Sequence, residues 1–319
     1  MGRLHVLIGL AMAAGASVCA AQEAPPLDPA DPPAVVRTGP ASQDRRVTIP
    51  ILIDGKGPWN FVIDTGSQRT VIARDLAREL ALPARRSVTI LSITGRSEAG
   101  TVALPDIDFG GGRIRDIEAP VLEGENLGAA GLLGLDSLHE KRVTLNFRTG
   151  QMEIARSGAR ARPAPADRNT IVVDARRKRG QLILLDCDVN GMRVAIMLDT
   201  GASVSIGNLA LRDRLVAKKR APELVTAILT SVTGGTLVGQ VGKIRSARMG
   251  RVNLTDLPVI FADASPFAEL GMKDKPALLL GIGALRIFDR VAIDFGRGKV
   301  DFLLPDAMAP VRTRLAAAP

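Results

Sequence analysis

Phe61-Val62-Ile63-Asp64-Thr65-Gly66-Ser67 is the stretch that decides how this chain is read. Three apolar residues suited to a strand run straight into a carboxylate, and a glycine follows two positions later. Such a run puts Asp64 where a strand stops and the backbone turns. Gly66 permits a turn, or a close backbone approach, that a side chain would block. One Asp-Thr-Gly triplet ends many ordinary strands. A second, in Ala195-Ile196-Met197-Leu198-Asp199-Thr200-Gly201-Ala202, makes an internal repeat the next thing to look for.

The repeat extends well beyond the triplet. Val71 and Ile206 lie seven residues after the two aspartates, Leu76 and Leu211 twelve, and Leu80 and Leu215 sixteen. Each Leu pair has the i, i+4 spacing of one helix face, which predicts short helices over Arg74–Leu80 and Asn208–Leu215. Ser92-Ile93-Thr94-Gly95 returns as Ser231-Val232-Thr233-Gly234. Gly112-Arg113-Ile114 with Pro120-Val121 returns as Gly250-Arg251-Val252 with Pro258-Val259. Leu132-Leu133-Gly134 returns as Leu279-Leu280-Gly281, and Leu145-Asn146-Phe147 as Ile293-Asp294-Phe295. Blocks repeated in one order predict a duplicated domain. Ahead of each aspartate, apolar alternation (Val47, Ile49, Ile51, Ile53) or an apolar run (Leu182 to Asp188) meets a turn at Asp54-Gly55 or Asn190-Gly191. These are hairpin signals, and short strands punctuated by Gly and Pro predict an all-β fold.

An apolar run into Asp-Thr-Gly-Ser/Ala, a glycine-containing hairpin, then two apolar residues and Gly resembles the retropepsin-like and pepsin-like aspartic proteases. The likeness covers residues 44–155 and 170–304. It implies two retropepsin-like β-barrel lobes related by a pseudo-twofold axis, with few short helices. It implies that Asp64 and Asp199 are the catalytic pair and that Thr65 and Thr200 hydrogen-bond across the axis. Gly66 and Gly201 would allow the loops to approach. Ser67 would bond the outer oxygen of Asp64 through its hydroxyl, a bond that Ala202 cannot offer Asp199. Gly134 and Gly281 would brace the two loops, and Thr94, Gly95, Thr233 and Gly234 would form flaps over the substrate. The chain departs from pepsin-like enzymes in being shorter and in having no Tyr, hence no flap tyrosine. Bacterial retropepsin-like proteins are the nearer likeness. The implied activity is hydrolysis of peptide bonds in a peptide or protein substrate, without cofactor or metal. The alternative on the same fold is a noncatalytic module that holds a peptide or an envelope component.

The remaining segments are read by composition. Arg3, an apolar stretch from Leu4 to Ala14, and the small residues before Ala20 form a signal peptide over residues 1–20. That predicts cleavage near Ala20 and a periplasmic or secreted protein, a two-lobed monomer without stable membrane insertion. The apolar stretch is short for a transmembrane anchor. A lipoprotein would use Cys19, but Ala16-Ser17-Val18 is a poor signal for lipid attachment. Residues 21–43 read as a flexible leader, 156–169 as an interlobe linker and 305–319 as a disordered tail. The second half is longer than the first, and the extra residues fall in Asp263 to Pro276. That segment either lines one end of a groove or passes over the surface.

Composition also excludes chemistry. The formal net charge is +9, yet the basic residues are scattered and aromatics make up 3%, too few for base-stacking platforms, so no nucleic acid is expected. Arg176 to Arg179 and Lys218 to Arg220 read as exposed turns or helix ends. His5 and His139 are the two histidines, and neither has a nucleophile motif nearby. Cys187, the one cysteine beyond Cys19, alternates with apolar neighbours and reads as a buried small hydrophobe. Gly110-Gly111-Gly112 belongs to a hairpin turn rather than a phosphate loop. A glycoside hydrolase also needs two carboxylates but lines its cleft with Trp and Tyr, and this chain has one Trp and no Tyr.

Overall fold

The computed structural model describes residues 46–109, 113–138, 140–158, 169–179, 181–218 and 224–305, together with the backbone of three short strands, His5–Ile8, Met12–Ala13 and Ala34–Arg37. The rest of the predicted signal peptide and leader lies outside these residues. So do residues 159–168 of the linker, His139, Gly110 to Gly112, Lys219, Arg220 and the tail beyond Pro305.

The chain is mostly β. Among the described residues the helices are short: α1 (Arg74–Glu79), α2 (Gly124–Leu127), α3 (Leu135–Leu138), α4 (Leu209–Ala217), α5 (Ser265–Glu269) and α6 (Ile282–Leu285). α1 and α4 are the two helices that the Leu spacing predicts. Asn208 caps α4, its Oδ1 accepting from the Leu211 amide at 2.9 Å.

Each lobe opens with the expected hairpin. Thr48–Ile53 pairs antiparallel with Lys56–Ile63, burying Ile49, Ile51 and Ile53 on one face. Asp54 and Gly55 have φ of 49° and 74°, as a two-residue turn matching the strand twist requires. Asn190 and Gly191, at 48° and 74°, do the same in the second lobe. The run from Leu182 to Asp188 is not one strand, however. Asp186 sits at φ 51° and turns the backbone between Gln181–Leu184 and Cys187–Val189.

The strands that end on the aspartates lie deep in the lobes. Phe61, Val62 and Ile63 run parallel to Gly131, Leu132 and Leu133, and Ala195 to Asp199 run parallel to Ala277 to Gly281. Parallel strands covered on both faces need apolar residues at every position, so both runs read as unbroken rather than alternating. Where the lobes meet, strands lie in the order 181–184, 170–178, 299–303, 290–294, 141–146, 151–156 and 34–37. Lys141–Asn146 of the first lobe is antiparallel to Arg290–Asp294 of the second, Thr144 opposite Ala292. The last repeated block thus lies beside its own copy across the pseudo-twofold axis.

Two segments differ from their reading in the sequence. Ala34–Arg37, within the expected flexible leader, pairs with Gln151–Ile154, where the open edge of 151–156 supplies unpaired backbone groups. Arg176, Arg177 and Lys178 lie on a strand, Thr170–Lys178, rather than in a turn. Side-chain bonds to the carbonyls of Phe295 and Leu270 engage Arg177 and Lys178. Within residues 1–20, His5–Ile8 lies parallel to Ile228–Ser231 and Met12–Ala13 antiparallel to Ile90–Leu91. Cys187 is buried, as expected. Burial and then Asp186 and Asp188 push its thiol up to about 12, so it stays protonated and inert.

Candidate active site

The two Asp-Thr-Gly loops meet at the junction of the lobes. Their threonines interlock: the Thr65 amide donates to Thr200 Oγ1 and the Thr200 amide to Thr65 Oγ1, both at 3.1 Å. The hydroxyls then donate onward, Thr65 Oγ1 to the Leu198 carbonyl at 3.2 Å and Thr200 Oγ1 to the Ile63 carbonyl at 2.7 Å. Each lobe therefore binds the strand that delivers the other lobe's aspartate. Gly201 is packed so tightly that a Cβ there would lie 2.2 Å from Asp64 Cγ. That contact places the Asp64 carboxyl against the loop that carries Asp199.

The carboxyls are held alike. Asp64 Oδ1 accepts from the amides of Gly66 (2.8 Å) and Ser67 (2.9 Å), and Asp199 Oδ1 from those of Gly201 (2.9 Å) and Ala202 (3.1 Å). Both side chains are buried, at 0% and 1% exposure, and neither Oδ2 has a hydrogen-bond partner outside the pair among the described residues, while the two carboxyls act on each other as side-chain hydrogen-bond partners. Burial pushes Asp64 up from the ordinary 3.8 to about 7, with Arg46 and the two amides pulling it down. Burial and then the Asp64 charge hold Asp199 well above 3.8. Two close buried carboxylates cannot both ionise without repulsion, so the pair retains a proton.

Among the described residues the Ser67 hydroxyl makes no bond to Asp64. Ser67 Oγ donates instead to the Arg69 carbonyl at 2.6 Å, and only the Ser67 amide serves the carboxylate. Ala202 has an amide too, so the Ser–Ala difference leaves the two aspartates equally hydrogen-bonded.

Gly134 and Gly281 stand beside the loops as expected. A Cβ on Gly134 would lie 2.4 Å from the Arg69 backbone, and one on Gly281 would lie 2.3 Å from the Val204 carbonyl oxygen. The amides of these glycines donate to Thr70 Oγ1 and Ser205 Oγ, both at 3.2 Å. Thr70 and Ser205 each lie six residues after their aspartate, a correspondence that the sequence offers and that the reading of it missed. Arg46 and Gln181, both buried, were missed likewise.

Thr94, Gly95, Thr233 and Gly234 occupy the tips of two hairpins, Ala84–Ser92 with Gly95–Leu104 and Val225–Ser231 with Thr236–Met249. The tips touch: Thr233 Oγ1 donates to Ser92 Oγ at 3.1 Å. Leu91 and Ile93 of the first tip pack into one apolar cluster with Met197 and Ala202 of the second lobe, next to Asp199. The longer segment Asp263 to Pro276 holds α5 against this tip. The Ser265 amide donates to the Ile93 carbonyl at 3.1 Å, and Arg96 pairs with Glu269 at 2.7 Å. The insertion therefore meets the first hairpin rather than wandering over the surface.

No curated protein matches the chain significantly. The aspartyl protease family model does match, over residues 49–137 and 185–284, together more than half of the chain. Each segment contains one of the interlocked Asp-Thr-Gly loops and its bracing glycine, and on that double match the chain belongs to the aspartyl protease family, with one retropepsin-like domain in each half.

Proposed function

We propose that the chain is an exported aspartic endopeptidase in which Asp64 and Asp199 form one catalytic dyad. The observation that carries this reading is the pair of buried carboxyls whose Oδ1 atoms are occupied by backbone amides while both Oδ2 atoms remain for chemistry. At rest one carboxyl is ionised and the other holds the shared proton. The ionised group takes a proton from a water molecule, whose oxygen adds to the peptide carbonyl carbon. The protonated group gives its proton to the carbonyl oxygen, forming a gem-diol. The diol then collapses and the C–N bond breaks. The nitrogen leaves with a proton from one carboxyl while a diol proton returns to the other, so the dyad again holds one proton. Thr94, Gly95, Thr233 and Gly234 cover the substrate and keep bulk water from the dyad.

The pH profile tests this reading. The base works only when ionised, so its raised pKa moves the acid limb of kcat/KM from near 4 up to about 7. The acid must keep its proton, and burial and then the Asp64 charge, which hold Asp199 well above 3.8, move the alkaline limb to higher pH. Cleavage of an unfolded protein, followed from about pH 4 to about pH 9, is expected to peak above the ordinary carboxylate range. A maximum in acid would overturn the raised pKa of the pair rather than the dyad, since two carboxyls sharing a proton also work in acid. Peptide binding with no cleavage at any pH would establish the noncatalytic module instead.

Export has its own check. N-terminal sequencing of the protein recovered from a bacterial periplasm is expected to begin near Ala21, after the predicted signal peptide. Recovery beginning at Met1 would refute export by cleavage, and a lipid on Cys19 would make the protein a lipoprotein.

A further inference from the structure

Arg46 precedes Asp64 by eighteen residues, and Gln181 precedes Asp199 by the same eighteen. The duplication makes them counterparts, and the structure gives them the same task. Arg46 Nη1 donates to the Gly201 carbonyl at 3.4 Å, and Gln181 Nε2 donates to the Gly66 carbonyl at 2.7 Å. Each reaches across the lobe junction to the glycine of the opposite Asp-Thr-Gly loop. Arg46 also donates to the Leu127 carbonyl. Both side chains are buried, Arg46 at 0% exposure and Gln181 at 2%. Within an otherwise matched pair of loops one counterpart is a cation and the other is neutral.

We propose that Arg46 and Gln181 are paired positioning residues that break the twofold equivalence of the dyad, making Asp64 the resting proton acceptor and Asp199 the resting proton carrier. This rests on the reading of the two aspartates as one dyad. A buried cation is weakly screened, so it favours the ionised form of the nearer carboxyl. Gly201 links the two groups: its carbonyl accepts from Arg46 and its Cα lies against the Asp64 carboxyl. The charge acting on Asp64 is that of Arg46, with Asp199 acting through a side-chain hydrogen bond, whereas the charge acting on Asp199 is that of Asp64. Gln181 brings no charge to the other side. An amide suffices to hold a loop, so the guanidinium supplies something beyond tethering.

The test is to make the pair symmetric and then to invert it. Arg46→Gln removes the cation, which raises the pKa of the base, so the acid limb of kcat/KM should move to higher pH by about one unit or more. Arg46→Lys should move it less. Gln181→Arg adds a cation and should move the limb to lower pH, and the double exchange of Arg46→Gln with Gln181→Arg should return it toward wild type. A folded Arg46→Gln variant with an unmoved limb would overturn the proposal. Should that variant fail to fold, Gln181→Arg and the wild type itself decide. In wild-type protein with carbon-13-labelled aspartate, assigned through Asp64→Asn, the Asp64 carboxyl resonance should titrate before that of Asp199. Titration of Asp199 first, or of both together, would overturn it. This last reading needs no turnover, so it remains decisive even if the protein proves not to cleave peptides.

Discussion

Changing either Asp64 or Asp199 to Asn is expected to abolish peptide cleavage, and changing both is expected to be hardly worse than changing one. The two groups serve a single step, and residues that act as a unit lose their contributions together rather than additively. Asn keeps the shape and the bonds from the loop amides but can neither accept nor carry the working proton. A single variant that kept more than roughly a tenth of the activity, only about 1.4 kcal/mol of barrier, would show that the dyad is wrongly assigned. Stability should move the other way. A carboxyl whose pKa is raised on folding binds its proton more tightly in the folded state. It therefore costs nothing below its ordinary pKa, and the cost grows as pH rises above about 4. Asp199→Asn removes that cost, so its melting temperature should exceed wild type at neutral pH and match it in acid. Asp64→Asn should gain less, because it also removes the negative charge near Arg46. A melting temperature lowered by Asp199→Asn at neutral pH would mean that the carboxyl is not held against its preference.

Much of this arrangement is legible in the chain because a duplication prints each structural demand twice. The interlocked threonines, the tight glycines beside Arg69 and Val204, and the turns at Asp54-Gly55 and Asn190-Gly191 are backbone demands. Few residue types satisfy them, so they survive divergence as visible repeats. What stays hidden depends on side-chain direction. Ser67 stands where its hydroxyl reaches either a carboxylate or the Arg69 carbonyl, and sequence cannot distinguish the two. Arg46 and Gln181 share an offset but no chemistry, so a search for like residues passes over them. The strand carrying Arg176 to Lys178 was hidden because a run of exposed cations reads as a turn, whereas these residues pair with Gln181 to Ile183 while Arg177 and Lys178 bond carbonyls of their own lobe. Asp263 to Pro276 has no counterpart in the first half, so nothing in the repeat indicates that it meets the hairpin tip at Ile93.

Gly201→Ala should cost activity on the order of a hundredfold, through packing rather than loss of a carboxyl. Gly201 does not have a left-handed backbone, so alanine meets no conformational penalty there, and the effect is steric alone. The added methyl carbon would lie 2.2 Å from Asp64 Cγ and 2.4 Å and 2.5 Å from its oxygens. Asp64 cannot withdraw easily. Two amides hold its Oδ1, its own amide is bonded to the Leu133 carbonyl at 3.0 Å, and Thr65 beside it is locked to Thr200. The loops must therefore separate, which stretches the threonine bonds and pulls the carboxyls apart. A displacement of about 1 Å between reacting groups costs on the order of a hundredfold in rate, and overpacking a tight site costs about 1–3 kcal/mol. Gly201→Ala should thus lose both activity and stability, where Asp199→Asn loses activity alone. Gly100→Ala, whose new carbon would meet nothing within 4 Å, is the control and should change neither. Adding Asp64→Ala to Gly201→Ala removes the atoms that clash. The pair should then be more stable than the sum of the single changes predicts, while activity stays lost. If Gly201→Ala leaves both rate and melting temperature near wild type, the Asp64 carboxyl does not lie against the opposite loop, and the two aspartates do not share a site.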